Sequence, residues 1–548
     1  MAKVKGFSLR DKAVSFTPSL HHEHESYKWW VLANVMFGTF MAVLDATIVN
    51  VGIKNIMASF GTTLDKIEWI LTAYLLVFAV MLPTSGWIAD HFGYKRTYFA
   101  ALFLFTFGSF LCSLSWTENI LIASRVIQGA GAGFLMPVGM AIVTREFPVE
   151  KRGVALGFWG IAAAASVSLG PMFGGYLIDN YSWHTIFDIN IPIGILGMFV
   201  TLVIQREYKT EHTRSFDIIG FISMSMFLAF LVLALSNGNA AWNTGGWTST
   251  YIITCFTLSF FGLVIFLITE FNIKYPLIEL RLLKDFNFGI TNIILFIFGL
   301  GMFGSTFLLP LYLQNSLNYT AYQAGLVFLP VGILQAVLSP IAGVLSDKIN
   351  PKIPAFIGIV LLSFSLILNY YLSLYSEHAQ IMLSLYLRGF AMGLLFTPLS
   401  TIALMNVPKM KMAQASGLFN VIRQIGGSFG IAILGTLFTT RLIYHTTVYS
   451  EAINKYSPAY KYVLDKIYLF AHHTTGGYAG DVLTKSQVLI AKHISDQAYV
   501  QAINDDFLIA GIISIFCLIP LFFLKVTRKK NNKLEQNAGE HLAECSTD

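Results

Sequence analysis

Apolar residues in this chain fall neither on alternate positions nor on one helical face. They gather into fourteen long runs parted by polar stretches: 30–52, 67–88, 98–116, 120–144, 153–177, 188–206, 216–236, 250–270, 288–312, 323–346, 353–374, 380–405, 415–440 and 504–525. A helix needs about 20 mostly apolar residues to cross a hydrocarbon core. Lipid offers no partner to backbone N–H and C=O groups, so each run is expected to be a helix that satisfies its own backbone. The expected fold class is all-α: a polytopic membrane protein with fourteen transmembrane helices. The segment before Trp29 is polar and lacks an apolar stretch leading to a small-residue cleavage site, so no cleaved signal peptide is expected. One polar stretch stands apart by its length. Residues 441–503 are Tyr-rich, with Pro458 and the pair Gly476-Gly477 between two stretches of helical composition.

Composition agrees with this pattern. Hydrophobic residues make up 55% and charged residues 12%, with a mean hydropathy of +0.64, whereas a soluble domain carries about 25% charged residues. The basic residues give orientation. Of the 36 Lys and Arg, only Lys54 and Lys66 fall in the short loops on one side of the membrane. Segment 441–503 lies on that side too, but long segments translocate regardless of charge. That segment holds six of them, Arg125, Arg388 and Arg423 lie inside runs, and the other 25 sit in the tails and the opposite loops. Both termini are therefore expected to be cytoplasmic. The net charge of +6 belongs to this topology and not to nucleic-acid binding. Cys112, Cys255 and Cys517 fall in apolar runs and Cys545 in the polar tail, which suits small apolar side chains better than a disulfide framework. His21, His22, His24 and the pair His472-His473 have no metal-ligand spacing, so no metal or other cofactor is expected.

The chain repeats itself. Pro83-Thr-Ser-Gly86-Trp-Ile-Ala-Asp90 recurs 257 positions on as Pro340-Ile-Ala-Gly343-Val-Leu-Ser-Asp347, and Lys95 and Lys352 keep that offset. Pro148, Gly157, Gly170 and Gly175 match Pro408, Gly417, Gly430 and Gly435 at 260, and Arg125 has a looser counterpart in Arg388 at 263. A period this long marks a duplicated transporter half, and two halves rocking about a central site give alternating access. The expected organisation is a tail 1–29, a six-helix half 30–206, two inserted helices in 207–287, a second six-helix half 288–525 that contains the outward segment 441–503, and a tail 526–548.

Few residues in the runs carry charge. Asp45 is the one carboxylate read deep inside a span, where a charge costs at least ~2.5–3.5 kcal/mol and is commonly paired, protonated or functional. Its plainer reading is a satisfied polar residue that orders helix packing. Counting from the span ends at 1.5 Å per residue, Asp45 lies ~23 Å from the cytoplasmic side and Arg125 ~8 Å from the outer side. Both then sit in the outer third of the membrane, within reach of each other if their helices face. They form either a proton-coupling pair or a fixed structural one. Gly86, Asp90, Gly93, Lys95 and Arg96 form a cytoplasmic turn whose glycines allow close approach and whose acid can cap a helix or bind a base in the facing half, a conformational latch. In the repeat, Asn350 replaces the second glycine, so a matching latch is not assured there. Asp188 is a second protonatable candidate near the outer surface, or simply a helix-start acid favoured by the dipole. Arg388 and Arg423 are buried basic candidates, binding either backbone carbonyls or an anionic substrate group. Aromatic residues make up 14%, and some are expected to line a cavity for flat, greasy or cationic compounds.

Several of these stretches resemble the major facilitator superfamily and, within it, the fourteen-helix drug:proton antiporters of the EmrB/QacA type. The resemblance spans roughly Trp30 to Phe523. It rests on Leu44-Asp-Ala-Thr-Ile-Val-Asn50, on Gly86-Trp-Ile-Ala-Asp90-His-Phe-Gly93-Tyr-Lys95-Arg96, on Arg125-Val-Ile-Gln128-Gly129-Ala-Gly131, on Gly170-Pro171-Met-Phe-Gly174-Gly175, on Ile189-Asn-Ile-Pro-Ile-Gly194 and on Gln497 through Phe507. It implies the major facilitator fold, a role for Asp45 and Arg125 in proton relay, and, in Gly170, Pro171, Gly174 and Gly175, the helix motif that marks antiporters. Where relatives often carry a further glycine upstream, this chain has Ser166.

The leading expectation is thus a proton-coupled exporter of hydrophobic or cationic toxic compounds in a bacterial cytoplasmic (inner) membrane, with small molecules, protons and the lipid bilayer as its partners. The alternative is an exporter of a native metabolite or siderophore, or an uptake symporter of the same fold. No Gly-x4-Gly-Lys-Ser/Thr loop supports ATP-driven transport, and no paired catalytic carboxylates, metal cluster or nucleophile elbow supports an enzyme. The resemblance also leaves two readings of 441–503 open, a docking element for a periplasmic adaptor protein or a cap over the outer mouth.

Overall fold

A computed structural model describes residues 26–62, 64–209, 215–240, 242–273, 276–306, 308–408, 411–453, 456–475 and 479–525. Among them the regular structure is entirely helical: α1 (Tyr27–Phe60), α2 (Leu64–Phe92), α3 (Tyr94–Ser113), α4 (Glu118–Glu146), α5 (Arg152–Asn180), α6 (Thr185–Asp188), α7 (Asn190–Ile204), α8 (Ile218–Asn237), α9 (Thr250–Asn272), α10 (Phe286–Thr306), α11 (Leu308–Asn315), α12 (Ala321–Lys348), α13 (Lys352–Leu368), α14 (His378–Met405), α15 (Met412–Ala452), α16 (Pro458–Thr475), α17 (Ala479–Ile515) and α18 (Leu518–Phe523), with a few short 3-10 turns between them. Among the described residues, fourteen segments are long and apolar enough to cross a membrane. The side on which the described chain starts and finishes is called here the terminal side, and the other the far side.

Among the described residues two of the fourteen runs are broken, and each break has the same cause. A proline removes the N–H that would bond the carbonyl four residues earlier, and its ring crowds that carbonyl. Pro192 stands four after Asp188, where α6 ends. Pro520 stands four after Phe516, in the gap between α17 and α18. Pro83, Pro137, Pro171, Pro330, Pro340 and Pro398 lie inside helices that continue.

The two halves meet along α5 with α12 and α2 with α15, and glycines set how closely they approach. A Cβ at Gly157 would run into the Ser339 carbonyl, and one at Gly343 into the Gly153 carbonyl. A Cβ at Gly86 would stand 2.9–3.0 Å from Gln414. The inserted pair packs on itself, with Gly262 against Phe227 and Ser259 Oγ donating to the Phe227 carbonyl at 3.0 Å. It docks beside α2 and α15, where Leu228, Leu231 and Val232 face Ala79, Leu82 and Val421.

Segment 441–503 differs from its expected form. The thirteenth run does not stop at 440 and the fourteenth does not start at 504. α15 continues to Ala452 and α17 already begins at Ala479, so both helices project past the apolar zone, with α16 packed on α17 between them. Hydropathy marks where lipid ends, but helix propagation needs only continuing backbone hydrogen bonds, so polar sequence carries the helices on. Gly476-Gly477 lies outside the described residues.

Candidate functional site: a buried carboxylate–guanidinium network

Asp45 is fully buried on α1, and both of its carboxylate oxygens accept hydrogen bonds. Arg125 Nη1, from α4, donates to Oδ2 at 2.5 Å. Gln128 Nε2, one turn further along α4, donates to Oδ1 at 2.8 Å, and Asn190 Nδ2, at the start of α7, donates to the same oxygen at 3.3 Å. Residues three apart on a helix share a face, which brings Arg125 and Gln128 to the acid together. Arg125 also donates from Nη1 to Gln128 Oε1 (2.6 Å) and from Nε to the Ile70 carbonyl (3.3 Å), and its guanidinium lies 4.0 Å over the Tyr74 ring. Gln128 Nε2 reaches Ser109 Oγ at 2.6 Å. Helices α1, α2, α3, α4 and α7 thus converge on one ion pair without water contact. Its charges are tolerated because they are paired and hydrogen-bonded at once.

The expected proximity of Asp45 and Arg125 is therefore met. Gln128, Asn190, Ser109 and Tyr74 had no assigned role in the sequence reading. Spacing could have flagged Gln128; nothing in the linear pattern points to Ser109 or Tyr74. Asp188 is exposed at the close of α6, beside His184, and is not part of the network. Asn190, two residues further on, is buried and reaches Asp45.

The second half carries a partial copy. Arg388 Nη2 donates to Thr306 Oγ1 at 2.9 Å, while Nη1 is buried without a partner among the described residues. Thr306 lies 261 positions after Asp45 and Arg388 lies 263 after Arg125. The repeat has kept the arginine and exchanged its acid for a hydroxyl. Arg423 Nη2 donates to Asn420 Oδ1 at 3.1 Å and the guanidinium lies 5.2 Å from the centre of the Phe396 ring.

The glycine motif of α5 joins the network to the interface between halves. A Cβ at Gly170 would strike Thr47 Oγ1, and one at Gly174 would come within 2.8 Å of Ile48, both on α1 just beyond Asp45. On the other side, Gly175 faces Tyr322, and Pro171 and Met172 face Gly325 of α12. Ser166 Oγ donates to the Phe40 carbonyl of α1 at 2.8 Å, so the residue in the upstream glycine's place ties α5 to α1.

On the terminal side, Gly93 has φ +101°, a conformation open to glycine, and a Cβ there would collide with Glu207. The Glu207 carboxylate caps α3, accepting from Lys95 N (3.1 Å) and Arg96 N (3.3 Å), with Arg96 Nε 3.6 Å away. Burial pushes the Glu207 carboxyl up, and these donors pull it back. Lys95 Nζ donates to the Leu202 carbonyl at 2.7 Å, and Tyr94 OH to Asp90 Oδ1 at 3.0 Å. In the second half, Asp347 accepts from Gly153 N (3.1 Å) and Val154 N (3.0 Å) at the start of α5. Free N–H groups at a helix start favour an anion. The contact therefore joins the two halves although Asn350 occupies the second glycine's place. Arg152 Nη1 adds a bond across to the Leu404 carbonyl at 3.0 Å.

No group of three or more His, Cys, Asp or Glu among the described residues is placed to hold a metal. His21, His22 and His24 and the side chains of His472 and His473 lie outside what is described.

Comparison with known proteins agrees with this architecture. The family model of the Major Facilitator Superfamily matches residues 35–431. The chain belongs to that superfamily. It is 31% identical over 500 residues to the multidrug export protein EmrB of Escherichia coli (strain K12), covering 89% of this chain and 93% of that one. It is 30% identical to the fatty acid resistance protein FarB of Neisseria gonorrhoeae (90% and 95% covered) and 29% identical to the uncharacterized MFS-type transporter YhcA of Bacillus subtilis (strain 168) (94% and 95%). In fold it is similar to the human organic anion transporter MFSD10, with a TM-score of 0.56 and 13% identity, over 91% of this chain and 99% of that one. It is a multi-pass membrane transporter with two six-helix halves and two inserted helices.

Proposed function

We propose that the protein is a proton-coupled antiporter that exports hydrophobic or cationic drugs and other toxic compounds across a bacterial cytoplasmic membrane, with its terminal side in the cytoplasm. The buried Asp45–Arg125–Gln128–Asn190 network carries this reading. A proton arriving on Asp45 removes its charge and turns one acceptor oxygen into a donor, so the donors on that oxygen, Arg125 at Oδ2 or Gln128 and Asn190 at Oδ1, must find other partners. The helix that carries Asp45 is packed on the glycine motif of α5, which in turn faces α12. A change in charge on Asp45 thereby acts on the interface that must open and close. The export direction draws support from the similarity to the multidrug export proteins EmrB, and the orientation from the distribution of Lys and Arg.

The test uses purified protein in proteoliposomes with an imposed pH gradient and a panel of lipophilic cations. Wild type is expected to accumulate at least one of them uphill. Asp45→Asn is expected to reach the membrane and bind that compound yet move it only downhill. Uphill accumulation by the variant at the wild-type rate would refute the assignment.

A second reading concerns the charge of the cargo. Arg388 and Arg423 form no ion pair with a carboxylate among the described residues, and the similarity to FarB adds weight to amphiphilic anions such as fatty acids. Competition between a long-chain fatty acid and a lipophilic cation in the same vesicles separates the two. Under the anion reading, Arg423→Gln weakens the fatty acid alone.

A further inference from the structure

We propose that Asp506 is a second proton-binding site, reached from the far side of the membrane past His445 and Asp505. In the sequence this residue looks like an acid at the start of the last membrane helix. The structure removes that role, because α17 begins at Ala479 and Asp506 lies well inside it. There are no free helix-start N–H groups for it to cap. It is fully buried, and neither carboxylate oxygen has a hydrogen-bond partner among the described residues. Ile503, Phe507 and Ala510 around it on α17 are also fully buried. Counting back from Phe523 at 1.5 Å per residue, it lies roughly 25 Å from the terminal side, close to the level of Asp45.

An ionised carboxylate without hydrogen bonds or a partner is costly in such a place, and a buried acid in that position neutralises by taking up a proton. The charged groups around it are few. Facing helices α10 and α11 contain no Asp, Glu, Lys or Arg, and α13 has only Lys352, at the opposite end. The 3-10 turn Asn369–Tyr371 contributes two tyrosines, and α16 carries Lys461, Asp465 and Lys466 beyond the apolar zone. The charges that act on Asp506 are its neighbour Asp505 and, from α15, Arg441. Asp505 accepts from His445 Nε2 at 2.9 Å and lies 3.5 Å from Arg441 Nε. Side-chain exposure is 41% at Arg441, 18% at Asp505 and 13% at His445, so this cluster touches water while Asp506 is fully buried. The His445 imidazole can accept a proton at one ring nitrogen and release one from the other. The proton moves from water to His445 and along its hydrogen bond to the Asp505 carboxylate; the two neighbouring carboxylates share no hydrogen bond, so the hop to Asp506 takes a side-chain rotation or a bridging water. No bond other than O–H and N–H changes.

Proton binding at Asp506 stands on this geometry alone; its part in transport rests on the proton-coupled reading above. The two are tested separately. Full-length protein in nanodiscs is treated with a hydrophobic carbodiimide, which modifies protonated carboxyls in apolar surroundings, and the peptides are read by mass spectrometry across a pH series. Asp506 is expected to be modified at neutral pH and protected as the pH rises, with exposed Asp188 as the unmodified control. His445→Gln is expected to slow the modification's response to a pH jump. Asp506 remaining unmodified at every pH, or an unchanged response in His445→Gln, would overturn the proposal. Substrate-induced proton release is then measured with a pH indicator, where Asp506→Asn is expected to release one proton fewer than wild type. Full release by Asp506→Asn excludes it from the cycle. No release by wild type sinks the proton-coupled reading and leaves the labelling result to decide Asp506.

Discussion

Asp45 and Arg125 show how a charge survives at membrane depth: neither is left with a single contact. Removing one member of a buried pair strands the other, at a cost of about 3–5 kcal/mol. Arg125→Ala is therefore expected to lower the thermal unfolding temperature in detergent sharply, and Asp45→Ala likewise. The double variant is expected to be more stable than the sum of the two losses, because no uncompensated charge remains. Additive losses in this cycle would mean that the pair is not energetically coupled. The proximity of the pair was legible from depth counting in the sequence. The contributions of Ser109, Tyr74 and Asn190 were not, because each comes from a different helix and depends on how that helix is rotated.

At the scale of elements, the closest approaches between halves occur where a side chain cannot fit. Gly157 against Ser339 and Gly153 against Gly343 fix how far α5 and α12 can close. Gly157→Leu is expected to insert and fold but to hold the halves apart on the terminal side. Cysteines placed there should become reactive to a membrane-impermeant thiol reagent in inside-out vesicles, where wild type is protected; unchanged protection would argue that another contact sets the closure. The proline breaks belong to the same scale. They were present in the sequence as Pro192 and Pro520, but hydropathy averages over them, and six other prolines lie in helices that run on. Whether a proline breaks a helix depends on whether neighbours can satisfy the freed carbonyl, which the linear pattern does not contain.

At the scale of the whole molecule, cycling requires the halves to part at the Asp347 contact with α5. Asp347→Ala is expected to reduce turnover several-fold while equilibrium substrate binding stays near wild type, since the residue lies on the rim and transporter sites form near the midplane. A large loss of affinity with normal turnover would count against a latch. The projecting ends of α15 and α17 with α16 are read either as a docking platform for a periplasmic adaptor or as a cap over the mouth. Replacing 450–495 by a Gly/Ser linker is expected, under the docking reading, to spare transport in isolated vesicles and abolish resistance in intact cells. Loss of vesicle transport would assign the segment to the transport cycle itself.

The sequence by itself determined the fourteen spans, the duplication, the family and the chemistry to look for, because all of these follow from local hydrophobicity and from residues repeated at fixed offsets. A bilayer leaves the chain little choice but helices, so composition alone fixes the class of fold. Tertiary structure decided everything that depends on which face of a helix meets which neighbour: the donors around Asp45, the exposure of Asp188 beside a buried Asn190, the cross-half contact of Asp347, and the burial of Asp506 inside a helix that begins well before its apolar run. Hydropathy measures the affinity of a segment for lipid and carries no information on rotation about the helix axis or on how far a helix continues into water.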